Sequence, residues 1–497
     1  MKILIVNPPI RENDNPHFPT GLGYLAAVLR KEGHEVSVID AAALKLRKQE
    51  LLSRIKQHDF DVFAVGGLIT IFNYLKWLTG EVRKINPNAL IISGGSAVSS
   101  VPQLFLKKTG VDVGLLYEAE STIIHLLNAI KDKTDFRTIS GIAFKDKNGE
   151  IIVNPLRERI KDLDELPFPA YDLFPMEEYL SFPQQMGLLN LSKERKAIGI
   201  LATRGCPWKC TFCHRNFGNT YVMRSPQNII AEMEMLYNIY GITFFDFKDE
   251  TLTVNKKHME SFCDLLIEKG HSFKWQAMTR ADLVTKELLE KMKKAGCIYI
   301  NFGLESGSQK MLDSIDKKIK VETMEQTIRW VREIDIELTK SFMIGIPGET
   351  KETVQETIDF CRRLDLNGTF FICTPYPGTI LWEKLKADGK IVTEEDEARY
   401  IEHLATAGDA INLNMNVSGL PDDELLVLRD WATKEIAKNY YRNHLLEYFS
   451  SRVEYVKFAY KTLKNIYTTH GPSAMVSTLY NKLSGKKTRI FVPDGTA

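Results

Sequence analysis

Two runs of short apolar segments, each followed by a longer amphipathic one, constrain this chain more tightly than any other feature. In the first run the apolar segments are Lys2–Asn7, Glu35–Asp40, Val62–Gly67, Ala89–Ser93 and Val113–Leu116, with a helix expected near Leu22–Lys31. In the second they are Ala197–Thr203, Thr243–Asp249, Phe273–Ala277, Tyr299–Gly303, Thr339–Ile344 and Thr369–Thr374. Short apolar strands alternating with helices build parallel sheets. The first run predicts a doubly wound, Rossmann-like α/β domain, and the six units of the second predict a partial (β/α)6 barrel of the TIM type. In both architectures ligands sit at the carboxyl ends of the strands.

The expected organisation is a Rossmann-like domain over residues 1–134, a linker over 135–195, a partial barrel over 196–385 and a mostly helical region over 386–497. Within the linker, Ile142–Phe144 and Ile151–Val153 flank Asn148-Gly149, a hairpin signal. Asp162-Leu163-Asp164-Glu165-Leu166-Pro167-Phe168-Pro169 reads as an extended, proline-punctuated segment. The last region reads as a long aromatic-rich helix around Asp423–Tyr467.

Apolar residues make up 44% of the 497, enough for large cores. The formal net charge of +1 supplies no global field to recruit nucleic acid. The start, Met1 to Pro9, reads as a strand running into prolines rather than a signal peptide. No apolar run approaches the ~20 residues of a membrane span. A cytoplasmic protein is expected, and an odd count of seven cysteines argues against a disulfide framework. Cys263, Cys297, Cys361 and Cys373 stand alone in apolar or helical contexts and read as inert core residues.

The other three crowd together. Thr203-Arg204-Gly205-Cys206-Pro207-Trp208-Lys209-Cys210-Thr211-Phe212-Cys213 follows the first barrel strand, placing Cys206, Cys210 and Cys213 on one loop. Thiolates hold iron–sulfur clusters, usually four of them. Three leave one iron open to a reactant, as a catalytic metal site requires. A zinc site would need a fourth Cys or His at finger-like spacing, and the adjacent His214 would have to fold back. Three packed core cysteines are the plainest alternative. The spacing favours the cluster over both.

The triad, with the aromatic Phe212 before its last cysteine, resembles the signature of the radical S-adenosylmethionine (SAM) superfamily. That resemblance implies a 4Fe–4S cluster on Cys206, Cys210 and Cys213, with SAM chelating the open iron and being cleaved to a 5′-deoxyadenosyl radical. It also implies SAM-binding roles for Phe212, for the acids Asp249 and Glu250 that end the second strand, and for Arg280 after the third. Glu305 after the fourth strand and Lys317 beyond it join them, with Gly345 and Pro347 in the Gly-Ile-Pro-Gly turn after the fifth. A single such turn is usually only a turn. A series of motifs at successive strand ends is harder to dismiss.

The N-terminal run resembles the cobalamin-binding domain of the class B branch of that superfamily. The residues carrying the likeness are Asn7-Pro8-Pro9, Phe18 to Ala26, Gly33-His34-Glu35-Val36, Gly94-Gly95 and the Tyr117-Glu118-Ala119-Glu120 turn. The implied cobalamin contacts are Pro8, Pro9, His17, Gly21, Gly66, Gly67, Thr70, Gly94, Gly95, Ser96, Glu118 and Glu120. One departure stands out: the D-x-H-x-x-G loop that supplies cobalt with a histidine is absent. His17 lies in the corresponding loop at a wider spacing, and its plainer reading is a solvent-exposed histidine. Cobalamin is therefore expected base-off, without that ligand. No G-x-G-x-x-G follows the first strand to support a dinucleotide instead.

The expected function is a cobalamin-dependent radical SAM methyltransferase. The alternatives are a cyclase or oxidoreductase of the anaerobic tetrapyrrole type, with no methyl transferred, and a non-catalytic corrinoid or redox module. Expected partners are a reductant such as flavodoxin or ferredoxin and a small-molecule, lipid or peptide substrate, without nucleic acid. The basic, aromatic stretch from Asn439 to Tyr467 reads as ordinary packing, or as a lid or a peripheral membrane contact.

Overall fold

The computed structural model describes residues 1–10, 17–181, 185–186, 189–190, 196–407 and 412–444. Its first sheet starts with β1 (Lys2–Asn7), β2 (Glu35–Asp40), β3 (Val62–Gly66), β4 (Leu90–Gly94) and β5 (Val113–Leu115). These pair in parallel in the order β2-β1-β3-β4-β5. Strand β1 is apolar at successive positions because both of its faces are covered. Leu4 and Val6 enter one core with Phe63, Val65 and Ile91, while Ile3 and Ile5 enter another with Val62, Ala64 and Ile92. The strand order reverses between β1 and β3, which opens a crevice at their carboxyl ends.

The hairpin foreseen in the linker is present as β6 (Ile142–Lys145) and β7 (Ile151–Val153). It is not a separate connector: β6 pairs antiparallel with β5, so the sheet has seven strands and continues past residue 134. An open β5 would expose unpaired amides and carbonyls, and the hairpin covers them. A two-stranded pair, β8 (Gln185–Met186) and β9 (Leu189–Asn190), follows.

The second sheet contains β10 (Ala197–Ile200) and, beyond the short antiparallel pair β11 (Thr203–Arg204) and β12 (Val222–Met223), the strands β13 (Phe244–Phe247) and β14 (Lys274–Thr279). Its remaining strands are β15 (Cys297–Glu305), β16 (Glu337–Ile344) and β17 (Thr369–Ile372). The six long strands are parallel and neighbour one another in chain order, as a partial barrel requires. Helices return the chain between them with local stop and start signals. The helix Pro226–Tyr240, for example, opens on Ser225, whose hydroxyl accepts from the Asn228 amide at 3.1 Å, with Pro226 in its first turn. The four isolated cysteines are buried, and burial pushes the thiols of Cys297 and Cys373 up to about 12.

Beyond residue 385 the helix Glu394–Ala407 is not separate from the N-terminal sheet. Ala398, Ile401 and Leu404 of the helix Glu394–Ala407 join the core of Phe72, Leu75 and Phe105. Lys76 meets Glu402 at 2.8 Å across that contact. The next helix is Asp422–Asn443, and the rest of the aromatic stretch to Tyr467 lies outside the described residues. No helix among the described residues is long and apolar enough to cross a membrane.

Candidate active site

The cysteine loop begins where the first barrel strand breaks. Strand β10 ends at Ile200, short of the expected Thr203, because the buried Asp249 carboxylate accepts from the backbone amides of Ala202 (3.1 Å) and Thr203. This turns the chain out of the barrel sheet into β11, which pairs with β12 and holds the two ends of the loop together. Gly205 has φ +93, and a Cβ there would strike the Thr220 carbonyl, so only glycine fits this step. Cys210 is buried, with Cys206 and Cys213 half-buried. The loop is tied to the barrel by Thr211, whose amide donates to Ile315 O (3.0 Å) and whose carbonyl accepts from Leu381 N (2.8 Å).

Burial, the nearby Glu250 and the other two thiols together push Cys213 up to about 12, and burial also raises Cys210. Bound iron reverses that preference by stabilising thiolate. Among the described residues no three His, Cys, Asp or Glu side chains converge on one metal-ion position. Three thiols on one loop at the mouth of a barrel fit a cluster better than a single ion.

Around the loop lie the strand-end residues. Asp249, expected at SAM, accepts from the backbone amides of Ala202 and Thr203 and so shapes the start of the cysteine loop. Glu250 is different. Its Oε1 accepts from the Asn216 amide at 3.2 Å, while its Oε2 is buried without a partner, and burial pushes its pKa up to about 7. Arg280 grips Asp282 through Nε (2.9 Å) and Nη2 (2.8 Å), donates to Lys317 O and lies over the Trp208 ring at 4.5 Å. Its Nη1 is buried and unpaired. Glu305 and Lys317 form a buried ion pair at 2.9 Å. An orphaned carboxylate oxygen and an orphaned guanidinium nitrogen suit a ligand carrying both an ammonium and a carboxylate, as SAM does. Phe212 packs with the apolar cluster of Met311, Ile346 and Leu381.

Gly345 and Pro347 belong to a self-contained turn. The sequence reading passed over Glu349, whose Oε2 accepts from the amides of Gly345 (2.5 Å) and Ile346 (3.2 Å). Burial pushes Glu349 up to about 7 from an ordinary value of 4.5. The unfolded chain releases this proton first, so the stability it contributes is full below about pH 4.5 and declines as pH rises to about 7. Glu349→Gln keeps an acceptor for both amides and removes the titration. We expect the variant to match wild type at about pH 4 and to exceed it at about pH 8 by on the order of 3 kcal/mol in urea unfolding. Equal differences at both pH values would contradict this.

The second feature is a cavity of about 410 Å³ at the carboxyl ends of β1, β3, β4 and β5. Of the residues expected at cobalamin, Pro8, Gly21, Gly66, Gly67, Gly94, Gly95, Ser96, Glu118 and Glu120 line it. Pro9, Thr70 and His17 do not, and His17 is exposed. Within the two glycine pairs, Gly95 is the one that backbone packing on backbone requires. Gly95 has φ +85, and a Cβ there would lie 2.6 Å from Gly67 O. The fit to a ligand rests on Ser93, whose buried hydroxyl has no partner, and on a mostly apolar lining. The expected acids are not free acceptors. Arg204 binds Glu118 (3.1 Å) and Glu120 (2.6 Å), and Arg159 takes the other Glu118 oxygen at 3.3 Å.

The opposite wall of this cavity belongs to the barrel: Leu201, Arg204, His214, Asn216 and Phe217. Arg204 immediately precedes the cysteine loop and His214 immediately follows Cys213. His214 Nε2 meets Ser100 Oγ of the N-terminal domain at 2.9 Å, so it does not fold back as a zinc ligand. The sequence reading missed Arg204 because nothing local marks its partners. A larger cavity of about 890 Å³, lined by Asp172, Phe174, Lys196 and Tyr240, contains none of these residues and has no part in the site.

A cysteine-triad loop at a partial barrel, sharing a wall with a glycine-lined cavity on a doubly wound sheet, defines a two-cofactor enzyme of the radical SAM type. The family model for the radical SAM superfamily matches residues 200–361, and that for the B12-binding domain matches residues 10–127. The chain is 31% identical over 402 residues to an uncharacterized methyltransferase of Pyrococcus horikoshii, covering 79% of this chain and 85% of that protein. It is 30% identical to the anaerobic magnesium-protoporphyrin IX monomethyl ester cyclase of Cereibacter sphaeroides, covering 74% of this chain and 60% of the cyclase. Among solved structures, the fold is shared with the radical SAM methyltransferase TsrM of Kitasatospora setae at a TM-score of 0.66 and 20% identity, covering 79% of this chain and 77% of that one. It is also shared with the cobalamin-dependent radical enzyme OxsB at 0.67 and 19%, covering 97% and 75%. The chain belongs to the cobalamin-dependent radical SAM enzymes.

Proposed function

We propose that this enzyme is a methyltransferase, moving a methyl group from SAM by way of cobalamin to an unactivated carbon of its substrate. The observation that carries this reading is the shared wall: the residues on either side of the cysteine loop, Arg204 and His214, also line the cobalamin cavity. When bound, the cluster supplies the electron that cleaves SAM, and cobalamin carries the methyl group. The chain's own part is to place them. Cys206, Cys210 and Cys213 hold the cluster. Glu250 and Arg280 offer unpaired groups of opposite sign for SAM. The glycine-rich strand ends and Ser93 receive the corrinoid. The N-terminal sheet holds one cofactor and the barrel the other.

The electron comes from an external reductant, a low-potential flavodoxin or ferredoxin in a cytoplasmic setting. The substrate is a small molecule, lipid or peptide. The test needs no substrate. Reduced, cobalamin-loaded enzyme is incubated with methyl-labelled SAM, and the corrinoid is isolated. Label on cobalt supports methyl transfer. An unlabelled corrinoid alongside active SAM cleavage would favour a cyclase-type reaction without it.

A further inference from the structure

One residue of the cobalamin cavity combines strain with exposure. Tyr117 follows β5 with φ +58, a left-handed conformation that disfavours any residue with a Cβ. The strain is held in place from both sides. The Tyr117 amide donates to Ser99 Oγ at 2.9 Å, and the next residue, Glu118, is anchored by Arg204 and Arg159. Such strain persists only where surrounding structure imposes it, and it concentrates at ligand sites. The ring gains nothing visible in exchange. It is 41% exposed, and no aromatic or hydrogen-bond partner for it occurs among the described residues. Yet Tyr117 lines the cavity, as do two other exposed apolar side chains, Ile10 (52%) and Leu68 (44%). Exposed apolar groups gathered at one cavity mouth mark a surface that a ligand covers.

We propose that Tyr117 is a cobalamin-contacting residue, its ring held outward by the strained turn so that, with Ile10 and Leu68, it closes over the bound corrinoid. This rests on the cobalamin assignment of the cavity. The ring contributes apolar area and a flat face to the corrinoid. Its backbone cost is borne by the protein whether or not cobalamin is bound.

The experiment separates strain from contact. Corrinoid-free, full-length protein is titrated with hydroxocobalamin by corrin absorbance, and its Tm is measured separately. Tyr117→Gly and Tyr117→Asn both tolerate the left-handed turn but lose the ring. Both are expected to keep the wild-type Tm or better and to bind hydroxocobalamin about tenfold more weakly. Tyr117→Phe is expected to bind within about twofold of wild type, since it keeps the ring. Unchanged affinity in the Gly and Asn variants would overturn the proposal, as would an affinity loss accompanied by a lower Tm. A Phe variant as weak as Gly would overturn the role of the ring. If wild-type protein takes up no hydroxocobalamin, the assignment of the cavity itself fails; normal wild-type uptake with an unaffected Gly variant defeats this inference alone.

Discussion

Anaerobically reconstituted protein is expected to hold about four irons per chain, and the Cys206→Ala/Cys210→Ala/Cys213→Ala variant none. The three thiols are the only sulfur ligands on the loop, and the four remaining cysteines are each buried in packed cores. Loss of iron should be accompanied by loss of SAM cleavage under reductant. The fold should survive, because the loop is tied through backbone groups of Thr211 and the β11–β12 pair, while its sulfur contacts are long, Thr251 Oγ1 to Cys206 Sγ at 3.6 Å and Cys213 Sγ to His214 O at 3.7 Å. Circular dichroism and hydroxocobalamin uptake would confirm that. A triple variant that keeps its iron would sink the assignment of the cluster to this loop.

The second large effect is expected at Arg204. Its side chain is 4% exposed, and it faces two carboxylates only 9% and 7% exposed, Glu118 and Glu120. It also lies over the rings of Tyr24 (5.1 Å) and Phe217 (5.3 Å). Removing one partner of a buried ion pair leaves uncompensated charge in a medium that solvates it poorly. The penalty is about 3–5 kcal/mol. Arg204→Met should therefore lower the stability to urea by that order. Adding Glu120→Leu should restore part of the loss, because an apolar replacement of the whole pair is far cheaper than half of it. Glu118 retains Arg159 in either case. A single-variant effect below about 1 kcal/mol would mean that water reaches the pair and that surface values apply.

These two predictions draw on different kinds of information. The cysteine triad was legible because its chemistry is local: three thiols within eight residues, after an apolar strand, need no tertiary context to name their ligand. The same holds for both βα runs, whose periodicity and glycine-marked strand ends reappear as the parallel strands β1–β5 of the first sheet and the six parallel strands of the second. Glu118 and Glu120 were recognised as site residues for the same reason, an acidic turn after a strand. Their partner was not foreseen.

What the sequence determined by itself was the set of elements, the loop that gathers the three thiols and the glycine-marked strand ends, because strand period, turn chemistry and cysteine spacing are all written among near neighbours. Only the tertiary structure decided what each polar group does. Arg204 reaches its carboxylates across 86 and 84 residues. Asp249 binds the backbone of Ala202 and Thr203, 47 and 46 residues back. The hairpin at β6 and β7 extends the N-terminal sheet, and the helix Glu394–Ala407 covers that sheet's own core. A carboxylate or an apolar face carries no mark of its partner in the chain around it. The partner is set by which surfaces must leave water together, and that is settled only when the two sheets and their helices close on one another.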